Sequence, residues 1–512
     1  MPLIFKNPKY REMSTKAKEI AEKYLNRKQK TLIVCHGDGD GVSSGVLTYI
    51  ALWKRGCPVE YIVTRELTSH TLTQINEKYM EESCERIIFC DIGAGKEKEI
   101  AKQYSNYLIL DHHEPQLKRS QRQLNPIHHN INDLTECSGS VTAYLAVYYL
   151  FDEQFWTTRW GKWITALAVL GAVADLQNIK YGRLIGLNRE ILKFAKQIGA
   201  VEYKIDIGFY GRYTRPIPVA IAYHSPKLPE PLNNVTKCAA WLKKQGIQLT
   251  EERYNGTYWR RIVDLSKEEK QKLLNIIEKH LKETVEPETL QEYLESLKNE
   301  VYDITIFEET ELKEFSLDPR EIATFLNSCT RQGDNETAFN LLFAAYDAVE
   351  KAAKHYKTYK GIIREALEAV REGLIEPKYY KNFVFYNYGN LINEKTTGII
   401  ATNLLKQKIS KEQKPHVVAA LHTDPKMHGM LKISFRAPLN YQELKNNQGK
   451  QLNIGEFFQQ LKDKLKQIDP RIDGGGHRTA AAITIPTKQL KKVLEQLDKY
   501  LDQYINIEGA TS

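Results

Sequence analysis

Thr31-Leu32-Ile33-Val34-Cys35-His36-Gly37-Asp38-Gly39-Asp40-Gly41 is the stretch from which the rest of the chain can be read. Its first five residues form a continuous β-branched or aliphatic run, the mark of a parallel strand covered on both faces. The run passes without a break into a segment that alternates metal-capable side chains with glycine. His36, Asp38 and Asp40 therefore fall within about 15 Å of extended backbone. A helix opening near Val42 would aim its first amides at the same place and favour an anionic ligand there.

Two more short apolar runs share this character. Arg86-Ile87-Ile88-Phe89-Cys90 ends in Asp91, and Asn106-Tyr107-Leu108-Ile109-Leu110 ends in Asp111-His112-His113. Helical spacing separates the runs, and Ala17, Ile20, Ala21, Tyr24 and Leu25 supply a helix ahead of the first. The alternation predicts a doubly wound α/β domain over residues 1–180, with its ligand crevice beyond the carboxyl ends of the strands. The apolar run from Trp163 to Ala174 falls short of the roughly 18 residues of a membrane span and reads as a buried core helix. Asp175 closes it, and a carboxylate at the end of such a run is costly unless paired or metal-bound.

Residues 181–378 are rich in Lys, Glu, Tyr and Leu at helical spacing, broken at Pro216, Pro218 and from Pro226 to Pro231. They read as a connector carrying an inserted, mainly helical subdomain. Segment 263–301, with Ser266 as its cap, is either a solvated helical hairpin or a docking surface for a protein. Tyr210-Gly211-Arg212-Tyr213-Thr214-Arg215 and Tyr258-Trp259-Arg260-Arg261 interleave aromatics with arginine, as single-strand channels do and as packing at a core edge also does. Over 379–512 strands return (Phe383–Tyr386, Val417–Leu421, Met430–Phe435), followed by a helix near 487–504, giving a smaller C-terminal α/β domain.

The 512 residues are 42% apolar and 27% charged, which excludes disorder as the main theme. Lys and Arg number 73 against 64 for Asp and Glu, and the net charge of +9 permits a polyanionic partner without demanding one. The seven cysteines are scattered without a C-x-x-C pair, which argues against a disulfide framework or a structural zinc site. The first residues lack the apolar core of a secretory signal, so a cytoplasmic location is expected, with no membrane partner.

Carboxylates and imidazoles in this mixture suit two divalent ions. Such a pair, about 3.5–4 Å apart, serves in-line displacement at phosphorus, so the expected reaction class is phosphoryl hydrolysis. The order His36-x-Asp38-x-Asp40-Gly41, Asp91, Asp111-His112-His113, Asp175 resembles the four motifs of the DHH phosphoesterase superfamily. Asp473-Gly474-Gly475-Gly476-His477-Arg478 resembles the Gly-Gly-Gly-His signature of the DHH-associated C-terminal domain, in the subgroup of RecJ-type exonucleases and oligoribonucleases. Leu326-Asn327-Ser328-Cys329-Thr330-Arg331 resembles the Leu-Asn-Ala-x-Gly-Arg stretch of RecJ-like nucleases, with Thr330 in place of the glycine. In length and in the size of its middle region, the chain resembles the archaeal RecJ-like nucleases associated with the replication complex GINS.

The resemblance implies that His36, Asp38 and Asp91 hold one metal, while Asp40, Asp91, His112 and Asp175 hold the other, with Asp91 as the bridge. Mn²⁺ is expected first and Mg²⁺ second. His113 would face the substrate phosphate, and Asp111 would orient a histidine ligand. Strand contacts would come from Asn327, Arg331, Arg436 and Ser138, the last either as a contact or as a plain helix cap. The Gly474-Gly475-Gly476 loop would offer amides to phosphate, with His477 and Arg478 adding charge. The implied activity is release of nucleoside 5′-monophosphates from single-stranded nucleic acid, 5′ to 3′ on DNA, in the crevice between the first and last domains. Its rivals are cleavage of very short RNAs or cyclic dinucleotides, and a non-enzymatic replisome scaffold. The inserted helices would dock GINS.

Overall fold

In the computed structural model, which describes residues 3, 5–254, 256–392, 395–408, 416–420, 429–437, 452–477 and 480–505, the first sheet has five parallel strands. These are β1 (Thr31–His36), β2 (Val59–Thr64), β3 (Arg86–Cys90), β4 (Tyr107–Leu110) and β5 (Gln123–Leu124), paired in the order β2-β1-β3-β4-β5. Three match the apolar runs. The edge strands β2 and β5 carry too weak a pattern to be seen: β2 is mostly half-exposed and interrupted by Glu60, and β5 is two residues long. Strand order reverses between β1 and β3, so the switch point lies where His36 and Asp91 leave the sheet.

Helices α1 (Pro8–Ile20), α2 (Gly39–Lys54), α3 (Ser69–Glu81), α4 (Glu97–Gln103), α5 (Gly139–Tyr148), α6 (Arg159–Ala174) and α7 (Gly186–Gln197) surround the sheet. α2 opens three residues earlier than the sequence suggested because Asp38 caps it: its Oδ1 accepts the Gly41 amide at 2.9 Å. Asp40 thus sits in the first turn of a helix that is buried almost throughout.

The chain leaves this layer through β6 (Glu202–Ile207). It then forms α8 (Ile217–Ala222), α9 (Val235–Lys244), the hairpin β7 (Thr250–Arg253) and β8 (Gly256–Trp259), α10 (Lys267–Thr284) and α11 (Pro287–Leu297), and returns through β9 (Lys298–Asp303). β6 and β9 pair antiparallel, so exit and return are clasped together and the segment between them is an insertion. Phe209, Ile221, Leu242, Leu273 and Leu281 centre its own core. Ser266 caps α10 in a reciprocal capping box with Glu269, and α10 and α11 form the helical hairpin read from segment 263–301.

Beyond it lie α12 (Pro319–Arg331), α13 (Asn335–Leu341) and α14 (Tyr346–Arg371). Residues 1–355 make one compact unit and 356–512 a second. The second contains β10 (Lys378–Tyr379), β11 (Val384–Asn387), α15 (Thr397–Lys408), β12 (His416–Ala420), β13 (Met430–Arg436), α16 (Ile454–Lys466), β14 (Asp473–His477), β15 (Ala480–Pro486) and α17 (Leu490–Ile505). Its mixed sheet runs β10-β11-β12-β13-β15-β14. The three glycines expected in a loop are instead the centre of the edge strand β14. A Cβ at Gly474 or Gly476 would come within 2.8 Å of a β15 backbone oxygen, whereas one at Gly475 would meet open space. All seven cysteines are buried and unpaired, and no helix among the described residues is long and apolar enough to cross a membrane.

Candidate metal centre

Parallel strands deliver their carboxyl ends to one edge, so β1, β3 and β4 bring His36, Asp91 and the Asp111-His112-His113 triplet together, and α2 and α6 add Asp40 and Asp175. His36 Nδ1 lies 3.0 Å from Asp38 Oδ2 and 3.6 Å from Asp91 Oδ2. On the other side of Asp91, His112 Nε2 lies 3.3 Å from its Oδ1 and 3.8 Å from Asp175 Oδ2. The donors fall into overlapping groups, His36-Asp38-Asp91, Asp40-His112-Asp175 and Asp91-His112-His113, each with its ligand atoms within 4.8 Å of one another. Asp91 stands between the first two.

Asp91 is 2% exposed, and its backbone is in the left-handed region at φ +59°, uncommon for a residue with a side chain. Gly139 at the head of α5 makes room for it: a Cβ there would lie 2.3 Å from Asp91 Oδ1. Asp40 is fixed from the same turn, its Oδ2 accepting the Gly139 amide at 2.7 Å and its Oδ1 the Ser140 amide at 3.0 Å. His112 donates Nδ1–H to the carbonyl of Asp133 at 2.8 Å, which turns Nε2 toward Asp91 and Asp175. Asp175 accepts from Gln177 at 2.8 Å.

Charge balance identifies what the pocket is built for. Five carboxylates and three imidazoles share it, so even full protonation of the imidazoles leaves an excess of negative charge in a buried space. Burial and the neighbouring Asp91 and Asp175 hold the Asp40 carboxyl well above its usual range, and burial pushes Asp175 up to about 6 against the pull of His112. Burial opposes protonation of His36, but Asp38 and Asp91 outweigh it and raise it to about 10. His112 is likewise raised by Asp175 and Asp91 against its burial. Asp91 Oδ1 and His36 Nδ1 are buried without a hydrogen bond. Hard oxygen donors with imidazole nitrogens, crowded and lacking hydrogen-bond partners, fit divalent cations.

Asp111 has a different task. It is 1% exposed and accepts from the amides of Ala94, His112 and His113 and from His113 Nδ1 at 2.8 Å. It therefore holds the His113 ring in place, as a carboxylate that orients a histidine would. His113 is partly exposed, and Asp111 raises its imidazole against burial.

The remaining expected contacts separate. Asn327 and Arg331 lie on α12, which borders the motif loop: Thr330 Oγ1 donates to the Gly37 carbonyl at 2.8 Å, and Ala323 would touch a Cβ placed on Gly39. Asn327 Oδ1 is buried without a hydrogen bond. Ser138 is fully buried as the cap of α5, which is the second of its two readings from sequence. Arg436 ends β13, with its guanidinium over Gly398 of α15. The register of the second sheet sets Arg436 and His477 on either side of Ala480. Arg478 lies outside the described residues. Sequence reading touched this turn only at Ser138 and did not assign the parts played by Gly139, Ser140, Asp133 and Gln177. The first three act through backbone amides and a carbonyl, which leave no residue-type signature, and Gln177 through a side-chain amide that no motif marks.

Models of three protein families match the chain: the DHH family, N-terminal domain, over residues 30–171, the DHH-CID domain over 209–294, and the DHHA1 domain over 381–503. An uncharacterized protein of Methanocaldococcus jannaschii is 31% identical over 256 residues, 49% of this chain and 56% of the relative. RecJ from Thermus thermophilus in complex with Mn²⁺ aligns with a TM-score of 0.54 at 14% identity, covering 98% of this chain and 56% of that one. CDC45 from Entamoeba histolytica gives 0.58 at 13%, covering 96% and 97%. The chain thus spans little more than half the length of the first two. At such identities, the two solved structures speak for the fold.

Proposed function

Because the chain belongs to the DHH superfamily and has the RecJ-like fold, we propose that it is a metal-dependent exonuclease that releases nucleoside 5′-monophosphates from single-stranded nucleic acid, 5′ to 3′ on DNA, during replication and repair. In this reading residues 1–180 supply the chemistry, 181–378 connect and carry the insertion, and 379–512 grip the strand. The observation that carries it is the buried cluster in which Asp91 stands between His36-Asp38 and Asp40-His112-Asp175. These residues would hold two divalent ions, Mn²⁺ or Mg²⁺, which when bound lower the pKa of water and neutralise charge on a phosphodiester. His113, aligned by Asp111 and presented at the edge of the cluster, is placed to give a proton to the departing oxygen. Asn327 and Arg331 on α12 would contact the strand backbone beside the motif loop, and the open side of Gly475 in β14 leaves room for a phosphate to approach backbone. Likeness to CDC45 supports a second role alongside the first: docking of a replisome protein such as GINS through α10 and α11.

The test is a Mn²⁺-dependent time course on single-stranded 20-mers of DNA and RNA, labelled at either end. Immediate release of labelled mononucleotide from the 5′ end of DNA is expected. Absence of cleavage on every strand, with cation binding shown separately, would overturn the nuclease reading in favour of dinucleotide cleavage or scaffolding.

A further inference from the structure

The arginines around α12 and the insertion are nearly all neutralised. Arg212 pairs with Asp303 and Asp318, Arg253 with Glu251, Arg260 with Glu269, Arg261 with Asp264 and Arg320 with Asp318. Arg215 differs: its guanidinium makes no ion pair or hydrogen bond among the described residues. It is nonetheless held. Its guanidinium carbon lies 4.7 Å from the ring centroid of Tyr210 and 5.4 Å from that of Tyr223. Its stem crosses Gly211, where φ is +91° and a Cβ would fall 2.4 Å from Arg215 Cδ. Tyr210 is anchored in turn, its hydroxyl 2.6 Å from Thr324 Oγ1 on α12. Thr324 follows Ala323, which faces Gly39 between Asp38 and Asp40. Tyr223, the outer ring, is 66% exposed.

A positioned cation without a counter-ion, flanked by an exposed aromatic ring and joined through one helix to the motif loop, matches what a single strand requires: phosphate neutralisation beside a stacking face. We propose that Tyr210, Arg215 and Tyr223 form a subsite for single-stranded nucleic acid away from the scissile bond, with Arg215 on a phosphodiester and a base stacked on Tyr223. This rests on the nuclease reading above. It predicts that strands long enough to reach the subsite bind better than dinucleotides.

The experiment measures fluorescence anisotropy of a labelled single-stranded 12-mer with the full chain in chelator, at stepped salt, for wild type, Arg215→Gln, Tyr223→Ala and Tyr223→Phe. Arg215→Gln should weaken binding about tenfold and reduce the salt slope by about 0.7, one phosphate's share on a single strand. Tyr223→Ala should weaken binding to a similar degree, and Tyr223→Phe, which keeps the ring, should restore wild-type affinity. Tyr223 is mostly solvated, so its variants test the site even if Arg215→Gln misfolds. Unchanged affinity in Arg215→Gln and Tyr223→Ala, with cleavage intact in wild type, would overturn the subsite and leave the nuclease reading standing. Affinity that depends on both residues in a protein that cleaves no strand would uphold the subsite and sink the hydrolytic reading. A wild-type chain that binds no strand would overturn the subsite.

Discussion

At Asp91, the folding preferences of a single residue conflict with its use. Its carboxylate is buried between two imidazoles and other carboxylates, on a left-handed backbone that costs of order 1 kcal/mol. Replacing it with Asn removes a charge from a space already too negative. Asp91→Asn should therefore lower hydrolysis by at least about a thousandfold while leaving the melting temperature unchanged or higher in the absence of cation. A variant that melts several degrees lower would mean the cluster is a structural network and not a metal centre. Gly139→Ala probes the same atom from the opposite side: the added methyl would overlap Asp91 Oδ1, so activity should be lost with little change in far-UV circular dichroism. Activity within twofold of wild type would show that Asp91 can move and is not held as described. The ligand residues were legible because carboxylates and histidines ending three apolar runs are costly anywhere else. Gly139 was not, because its contribution is the absence of a side chain.

Among the elements, α12 shows how a departure in sequence acquires a structural meaning. Thr330 stands where the resembled stretch has glycine, and its hydroxyl donates to the carbonyl of Gly37 inside the motif loop. Thr330→Val keeps the shape but leaves that buried carbonyl only the longer bond from Arg65 Nη1 at 3.4 Å, which costs about 1 kcal/mol. We expect a denaturant midpoint lowered accordingly, with weaker Mn²⁺ binding by calorimetry because the loop between His36 and Asp38 loses its tie. Equal stability of Thr330→Val and wild type would show that Arg65 alone satisfies Gly37. The sequence could place Asn327 and Arg331 on one helix face, but it could not show that Ala323 and Thr330, beside them on that face, close on the metal loop, nearly three hundred residues earlier in the chain. For the same reason β14 was legible as a glycine run and not as an edge strand: pairing with β15 is a property of two segments.

Across the whole molecule, the inserted subdomain has its own core and its own ionisation, so the parts of the chain should respond differently to acid. His224 follows α8, packs edge-on against Phe209 at 4.7 Å and lies 2.9 Å from Ser296 Oγ on α11. Ser296 already donates to the Tyr293 carbonyl at 2.7 Å, so it accepts from His224 Nε2–H, leaving Nδ1 as the buried nitrogen that would take up a second proton. Burial, aided by Arg320, pulls this imidazole down to about 4 from an ordinary value near 6.5. Above pH 6.5 the folded and unfolded chains are both neutral at this position and it costs nothing. Between pH 6.5 and 4 only the unfolded chain takes up the proton, so stability falls as pH falls, at about 1.36 kcal/mol for each pH unit and by up to about 3 kcal/mol in all. Hydrogen exchange, corrected for intrinsic rates, should show α11 losing protection between pH 7 and 4.5, and His224→Gln should flatten that loss relative to wild type. Parallel pH dependence in the two proteins would show that the acid response does not come from His224. It would also mean that the insertion unfolds together with the domain from which it emerges rather than on its own core.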